Sequence, residues 1–522
     1  MRRPQGRTSK LVQNVVATTV AAVMIAATPG STFADGAARA PWPTAGWQTS
    51  TPEGQGIDPG ALAALIEQGA TQNLDSLLVI RHGRIVLDAT YAPYNAGLPH
   101  VVNSVTKAIT GTLAAIALKD GLLQSLDQPV MPFFADRIVT EPDARRSAIT
   151  LQTLFDMTSG IDWEEPFGGM PRSMIDMDRS RNQIDFVLNR PMAAAPGERF
   201  NYNSGGAHLV SAIVARVTGM TTEAYAAKKL FGPLGITAWT WRRDPQGIST
   251  GGYGLALHPQ DMAKFGYLYL HGGAWDGQQL VPAEWVDKVN HAVVDMHTSF
   301  APELRYANFF WAVPERQLYW ASGYHCQLVV VYPTLDLVAV TTGKDECRVR
   351  TLTMAIAQSV KSSAALSPDP AGSERLAQAI RAAATEKPSV GMAPPPIAAA
   401  ISGKVYRFES NPLGVKSLSL SFAEADPHYE LDLYTRNPAQ PSEKVSGSFG
   451  LDGLYRRGVD TPFGPLAVKG RWLDERVFEV DRINLGGGDL PRRWTLTFDG
   501  DRLHLTGRNY MGVDVAIDGM AE

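Results

Sequence analysis

Near residue 399 the hydrophobic period of this 522-residue chain changes, and that change limits what it can fold into. Beyond it, "GKVYRFE", "SLSLSF", "YELDLYT", "KVSGSFG", "LAVKGRW", "RVFEVDRI", "RWTLTFD", "RLHLTG" and "VDVAIDG" alternate apolar with polar residues, separated by turns such as "LGGGD" and "FDGD". Alternation puts every second side chain on one face, the pattern of a half-buried strand. Many short strands at regular spacing predict a small all-β barrel or sandwich over residues 399–522.

Before the switch the pattern is mixed. "PGALAALIEQGA" has helical spacing, "SLLVIRHGRIVLDATY" is a hairpin turning at His82-Gly83, and "VVNSVTKAITGTLAAIALKDG" is a long helix ending at Gly121. Further helices follow, and strands return in "LYWASGYHCQLVVVY" and "LDLVAVTTG" before the helix "RTLTMAIAQSVKSS". A hairpin, a helical middle and late strands predict an α+β domain over 57–363 whose sheet joins both ends of the segment. Residues 35–56 read as an extended lead-in, and the Ala-, Pro- and Ser-rich stretch 364–398 as a linker holding one short helix.

Hydrophobic residues make up 44% of the chain, enough for large cores, and a net charge of −4 with interspersed signs gives no basic stripe for nucleic acid. Residues 1–34 combine Arg2, Arg3, Arg7 and Lys10 with the apolar run "LVQNVVATTVAAVMIAA" and end in "STFA". This is the layout of a secretory signal cleaved after Ala34, so the chain is expected to be exported, periplasmic or secreted. The run is too short and too polar for a retained anchor, which needs about 20 strongly apolar residues, so no stable membrane insertion is expected after cleavage. In an oxidising compartment Cys326 and Cys347 could pair, because "CQLVVVYPTLDLVAVTTG" folds back on itself; the hairpin register sets Cys326 nearer Gly343, which leaves the bridge open. Two Cys and 10 scattered His have no metal-ligand spacing.

Within "NSVTK", Ser104 and Lys107 lie three apart and so share a helix face. A serine hydroxyl needs a neighbouring base to act as a nucleophile, and burial beside Val105, Ile109 and Leu113 would lower the pKa of Lys107 toward that task. With Asn103 as cap, Ser104 would also sit in the positive field of the helix N-terminus. Such a pair is common by chance, and alone it describes a capped helix with a surface lysine. Tyr202 in "PMAAAPGERFNYNSGGAHLV" follows a Pro-Gly turn and precedes a helix, where a phenol can point into a cleft.

Together with "ITLQTLFDMTSGIDW", "LDQPVMPFF", "LFGPLGI", "GGYGLALHPQDMAKFGYLYLHGG" and "YWASGYHCQLVVVYPTLDLVAV", these blocks resemble, in order and spacing, the serine β-lactamase and penicillin-binding-protein superfamily. The branch is that of class C-like serine hydrolases, with its esterases, D-amino-acid peptidases and 6-aminohexanoate-dimer hydrolases. The resemblance covers about residues 57–360 and implies an antiparallel sheet flanked by helices. It further implies Ser104 as acylated nucleophile, Lys107 as its partner, Tyr202 as general base, and an oxyanion hole from the backbone N–H groups of Ser104 and Tyr324. No metal or organic cofactor is implied.

Two positions depart from the family pattern: Ser204 stands third in the Tyr-x-Asn element, and the strand triplet begins with Ala321 in place of a cation. Both weaken a penicillin-directed reading and fit ester or amide hydrolysis. Substrate-contact candidates are Ser204, Ser322, Gly323, His325 and Trp163, although Trp163, Glu164 and Glu165 read more readily as an exposed loop with one aromatic packed down, and His325 reads equally well as a strand histidine facing solvent. The expected function is hydrolysis of a small-molecule ester, amide or peptide through an acyl-enzyme. A β-lactamase or D-Ala-D-Ala carboxypeptidase is the alternative, and a non-catalytic peptidoglycan- or ligand-binding protein the rival from another class. Oligomeric state and the role of residues 399–522 are not legible.

Overall fold

A computed structural model describes residues 41–522 except 141–142, 168, 299–300, 423–425, 435–441, 462–463 and 509–512. Residues 1–34, where a signal segment is expected, lie outside the described residues, as do residues 35–40 of the lead-in.

The hairpin predicted around His82-Gly83 forms from Leu74–Arg81 and Arg84–Thr90, with His82 in the left-handed region at φ 50°. Leu74–Arg81 is buried along its whole length. The reason is its second partner, the late strand Leu337–Gly343, which pairs antiparallel with it in the register Leu78↔Val340. With neighbours on both edges, its middle, Leu77, Leu78, Val79 and Ile80, reads as an unbroken apolar run, and Asp75, Ser76 and Arg81 are buried beside it. The full sheet has nine strands, running from Gln48–Thr49 through the hairpin, Leu337–Gly343, Gln327–Tyr332, Leu318–Gly323, Phe310–Val313 and Arg305–Ala307 to Val294–Asp295.

Pro259–Leu270 lies on one face of this sheet, close enough that a Cβ on Gly266 would stand 2.7 Å from Val329 and Val338 side chains. Phe265, Leu268 and Tyr269 are core residues, each at most 1% exposed. The lead-in does more than approach: Gln48–Thr49 adds a parallel edge strand beside Arg84–Ile85, and Trp42 and Trp47 pack on Tyr267.

The segment 364–398 is not a free linker. Pro370–Ala383 packs along Pro59–Thr71, with Leu376 buried, Arg375 paired to Glu67 at 2.8 Å and Ser373 Oγ donating to Glu53 at 2.7 Å. Its composition looked open because a helix that covers one side of another helix needs only a narrow apolar stripe, here Leu376, Ala379 and Ile380.

The C-terminal strands form one antiparallel ten-stranded sheet in which the last strand, Asp514–Ala521, returns to pair with the first, Val405–Phe408. The edge strands Ser442–Ser448 and Arg456–Thr461 approach each other, leaving a nearly closed barrel filled by Leu418, Phe449, Phe478, Leu496 and Leu505 among others. Of the two architectures expected, barrel and sandwich, the nearly closed barrel forms.

Truncating Leu376 to Ala should lower the unfolding free energy by about 2 kcal/mol in urea titration, the usual cost of deleting a packed aliphatic chain. A free linker would register no change.

Candidate active site

The helix predicted from the "NSVTK" stretch runs Val105–Lys119 and is buried on all sides from Val105 to Ala117. Ser104 sits just before it, and Asn103 adopts a left-handed φ of 46°. Asn103 does not cap the helix as expected; its amide donates to the Tyr324 carbonyl at 3.0 Å, tying the start of the helix to the cleft strand.

Lys107 is 1% exposed, and its Nζ donates to Ser104 Oγ at 2.8 Å and to the Gly252 carbonyl at 2.9 Å. The ammonium also lies 4.6 Å from the Tyr202 ring centroid. Burial is the main cause of its lowered pKa, about 8, against an opposing pull from the Glu165 carboxylate. A hydrogen bond links the Tyr202 phenol to Ser104, but burial, reinforced by Glu165, pushes that phenol's pKa well up. Ser104, Lys107 and Tyr202 therefore meet in one place, with Lys107 the group that titrates nearest neutrality.

Gly251, the residue before the carbonyl that receives Lys107, is held on both sides. Gly251 N–H donates to His208 Nδ1 at 3.3 Å, His208 Nε2 pairs with Asp244 at 3.1 Å, and Thr110 Oγ1 donates to the Gly251 carbonyl at 2.9 Å. A Cβ at Gly251 would fall 2.1 Å from the Ala207 carbonyl, so the turn reaches this position only with glycine there.

"YNSGG" is resolved residue by residue. Asn203 caps the helix Ser204–Thr218 by accepting from Gly206 N–H at 2.8 Å. Ser204 and Trp163 require correction as substrate contacts: Ser204 is fully buried, Trp163 is 4% exposed, and neither lines the cleft. Both serve Glu165 instead. Its carboxylate accepts from Ser204 N–H at 2.9 Å, Ser204 Oγ at 2.6 Å and Trp163 Nε1 at 2.6 Å. A carboxylate at a helix N-terminus meets unpaired N–H groups and the positive end of the dipole. Gly205 lets this happen, since a Cβ there would stand 2.6 Å from the Trp163 ring. Glu165 also lines the cleft; its only signal in the sequence is its place after "MTSGIDW".

The strand Leu318–Gly323 forms the other wall. A Cβ on Gly323 would lie 2.3 Å from the Val102 carbonyl and 3.1 Å from Ser104 N, so this glycine is what lets the strand end come beside the Ser104 N–H. Ala321 is fully buried and offers the cleft nothing, whereas Ser322, Gly323, Tyr324 and His325 line it. The Tyr324 ring is 60% exposed and lies over His325, at 3.7 Å between centroids. His325 turns away from the role of free polar contact: its Nδ1 is 2.6 Å from the Gly488 carbonyl and 3.6 Å from Asp489, both in the barrel domain. Beyond this turn, Cys326 lies opposite Gly343 as the register requires, and the chain comes back through Lys344 to bond Cys347 to Cys326, with Cα atoms 5.4 Å apart.

The cleft has a volume of about 2050 Å³ and an aromatic side made by Phe167, Tyr202, Trp311 and Trp320. Tyr253, whose hydroxyl donates to Asp178 at 2.5 Å, closes it near the Gly252 turn.

Replacing Glu165 with Ala leaves the Ser204 N–H and hydroxyl and the Trp163 N–H without their acceptor. The expected loss is about 2–3 kcal/mol of unfolding free energy, read by denaturant titration. Glu165→Gln, which retains an acceptor, should restore part of it.

The chain is similar to several known proteins. The 6-aminohexanoate-dimer hydrolase of Paenarthrobacter ureafaciens is 26% identical over 288 residues, spanning 51% of this chain and 71% of that protein. A candidate 6-aminohexanoate-dimer hydrolase from Bacillus anthracis superposes with a TM-score of 0.50 at 18% identity, over 62% of this chain and 89% of that one, which is a likeness of fold. A candidate β-lactamase from Bacteroides dorei has a TM-score of 0.47 at 15% identity, over 59% and 100% of the two chains. The model of the Beta-lactamase family matches residues 62–346, more than half of the sequence and all of the elements that carry Ser104, Lys107 and Tyr202, and the chain belongs to that family.

Proposed function

We propose that the protein is an exported serine hydrolase that cleaves an ester or non-lactam amide through an acyl-enzyme on Ser104. The observation that carries this reading is the buried Lys107 ammonium, 2.8 Å from Ser104 Oγ and with a pKa lowered to about 8. A structural lysine gains nothing from such burial, whereas a proton acceptor needs it. At pH 7 about one tenth of the amine is neutral, enough to take the Ser104 proton as Oγ attacks the carbonyl carbon.

The tetrahedral oxyanion forms beside the N–H of Ser104 and that of Tyr324, which stabilise it. Tyr202, whose raised pKa keeps its proton on the phenol, passes that proton to the leaving oxygen or nitrogen and is reprotonated from Lys107. Water then attacks the acyl carbon and gives a proton to the same pair; as the bond from that carbon to Ser104 Oγ breaks, the pair returns the proton to Oγ, which releases the acid and the free Ser104 hydroxyl. Ester and non-lactam amide substrates are favoured over β-lactams because Ala321 gives no cation and Ser204 gives no amide to the cleft. The Cys326–Cys347 bond supports export, since disulfides persist in oxidising compartments.

A fluorophosphonate probe should label the wild type and leave Ser104→Ala unlabelled; equal labelling of both would remove Ser104 as nucleophile. Among a p-nitrophenyl ester, an aminohexanoate dimer and a chromogenic cephalosporin, the first two should turn over faster than the third. For the preferred substrate, kcat/KM should rise with pH through a midpoint at about pH 8 as Lys107 loses its proton. Because Glu165 holds that pKa up, Glu165→Gln should move the midpoint to lower pH, and an unmoved midpoint would assign the titration elsewhere.

A further inference from the structure

The barrel domain meets the catalytic domain at the cleft itself. Tyr94 and Leu98 of the catalytic domain share a small apolar core with Ala467, Ile483 and Leu485 of the barrel. From that core the turn "LGGGDL", residues 485–490, runs up to Asn103, the residue before Ser104. Val101 N–H donates to the Gly486 carbonyl at 2.7 Å. Gly486 has φ 76°, and a Cβ there would stand 2.3 Å from the Pro99 carbonyl, so no other residue allows this approach. Gly488, also at φ 76°, sits where a Cβ would be 3.3 Å from both Asn103 Nδ2 and Gln327 Nε2, and its carbonyl meets His325 Nδ1 at 2.6 Å.

The turn thus rests on both elements that flank the nucleophile: Asn103, which precedes Ser104, and the Tyr324–His325 corner, which follows Gly323. Past the glycines, Asp489 and Leu490 line the cleft, with Arg492 and Thr506 of the barrel behind them, and the Leu490 side chain is 43% exposed. The opposite side of the cleft, with Phe167, Met170 and Trp311, comes wholly from the catalytic domain.

We propose that residues 485–490 of the barrel domain are a specificity-determining wall of the active site, with Leu490 setting how large an acyl or leaving group the cleft accepts beside Tyr324. This rests on the serine hydrolase reading and assigns the barrel a function within that site. Substrates of the favoured class are esters or amides with an apolar part for the aromatic side and a compact or polar part against the barrel.

The test uses the full chain with Leu490→Ala and Leu490→Trp, changes at an exposed position. Two series are measured, p-nitrophenyl esters from acetate to decanoate and acetate esters of alcohols of rising size. In one of them, the kcat/KM ratio of the largest to the smallest substrate should rise about five-fold or more in Leu490→Ala and fall by a similar factor in Leu490→Trp, the scale expected when a few methylenes gain or lose room. Ratios within about two-fold of wild type in both variants and both series would overturn the wall. Fluorophosphonate labelling separates the two failures: an unlabelled wild type overturns the hydrolase reading, and a labelled wild type with flat ratios overturns the wall alone.

Discussion

A lysine ammonium at 1% exposure is the constraint around which this candidate site is organised. Removing a charge from water is costly unless hydrogen bonds replace its hydration. The replacements here are the Ser104 hydroxyl, the Gly252 carbonyl and the face of the Tyr202 ring. Each comes from a different part of the chain, so three separate segments must be held in place before Lys107 can be buried at all. The helix supplies Ser104 by simple spacing. The buried Asp244–His208–Gly251 chain holds the residue before the Gly252 carbonyl, and Glu165, bonded to the start of the helix that follows Tyr202, fixes the phenol's neighbourhood.

The same supports tune reactivity. Burial lowers the lysine and raises the tyrosine, while Glu165 acts on both in the upward direction. The two pKa values are thereby pushed apart, the lysine's toward neutral pH and the tyrosine's away from it. Groups whose environments separate their pKa values in this way can divide the roles of acceptor and donor.

Much of the fold was legible because its signals are local. The turn at His82-Gly83, the helix after Ser104 and the alternating strands beyond residue 399 follow from period and turn chemistry over a few residues. Other features were not, because their partners are distant. The helix Pro370–Ala383 looked like a linker until its stripe met Pro59–Thr71, some 300 residues earlier. Ser204 and Trp163 were expected at the substrate and instead bond Glu165, a residue whose own letter says nothing about who will donate to it. His325 was expected in the cleft as a polar contact and is held by Gly488, which belongs to the other domain.

By itself, the sequence determined which residues stand at helical spacing, where strands alternate and which blocks resemble a hydrolase, since these depend on neighbours along the chain. Only the tertiary structure decided that Glu165 anchors the site, that Gly252 receives Lys107, that Cys326 and Cys347 meet, and that "LGGGDL" lies beside Asn103. The physical reason is common to all four. Each is a contact between segments far apart in sequence, made possible by small residues whose missing side chains become informative only when the opposing backbone is in view.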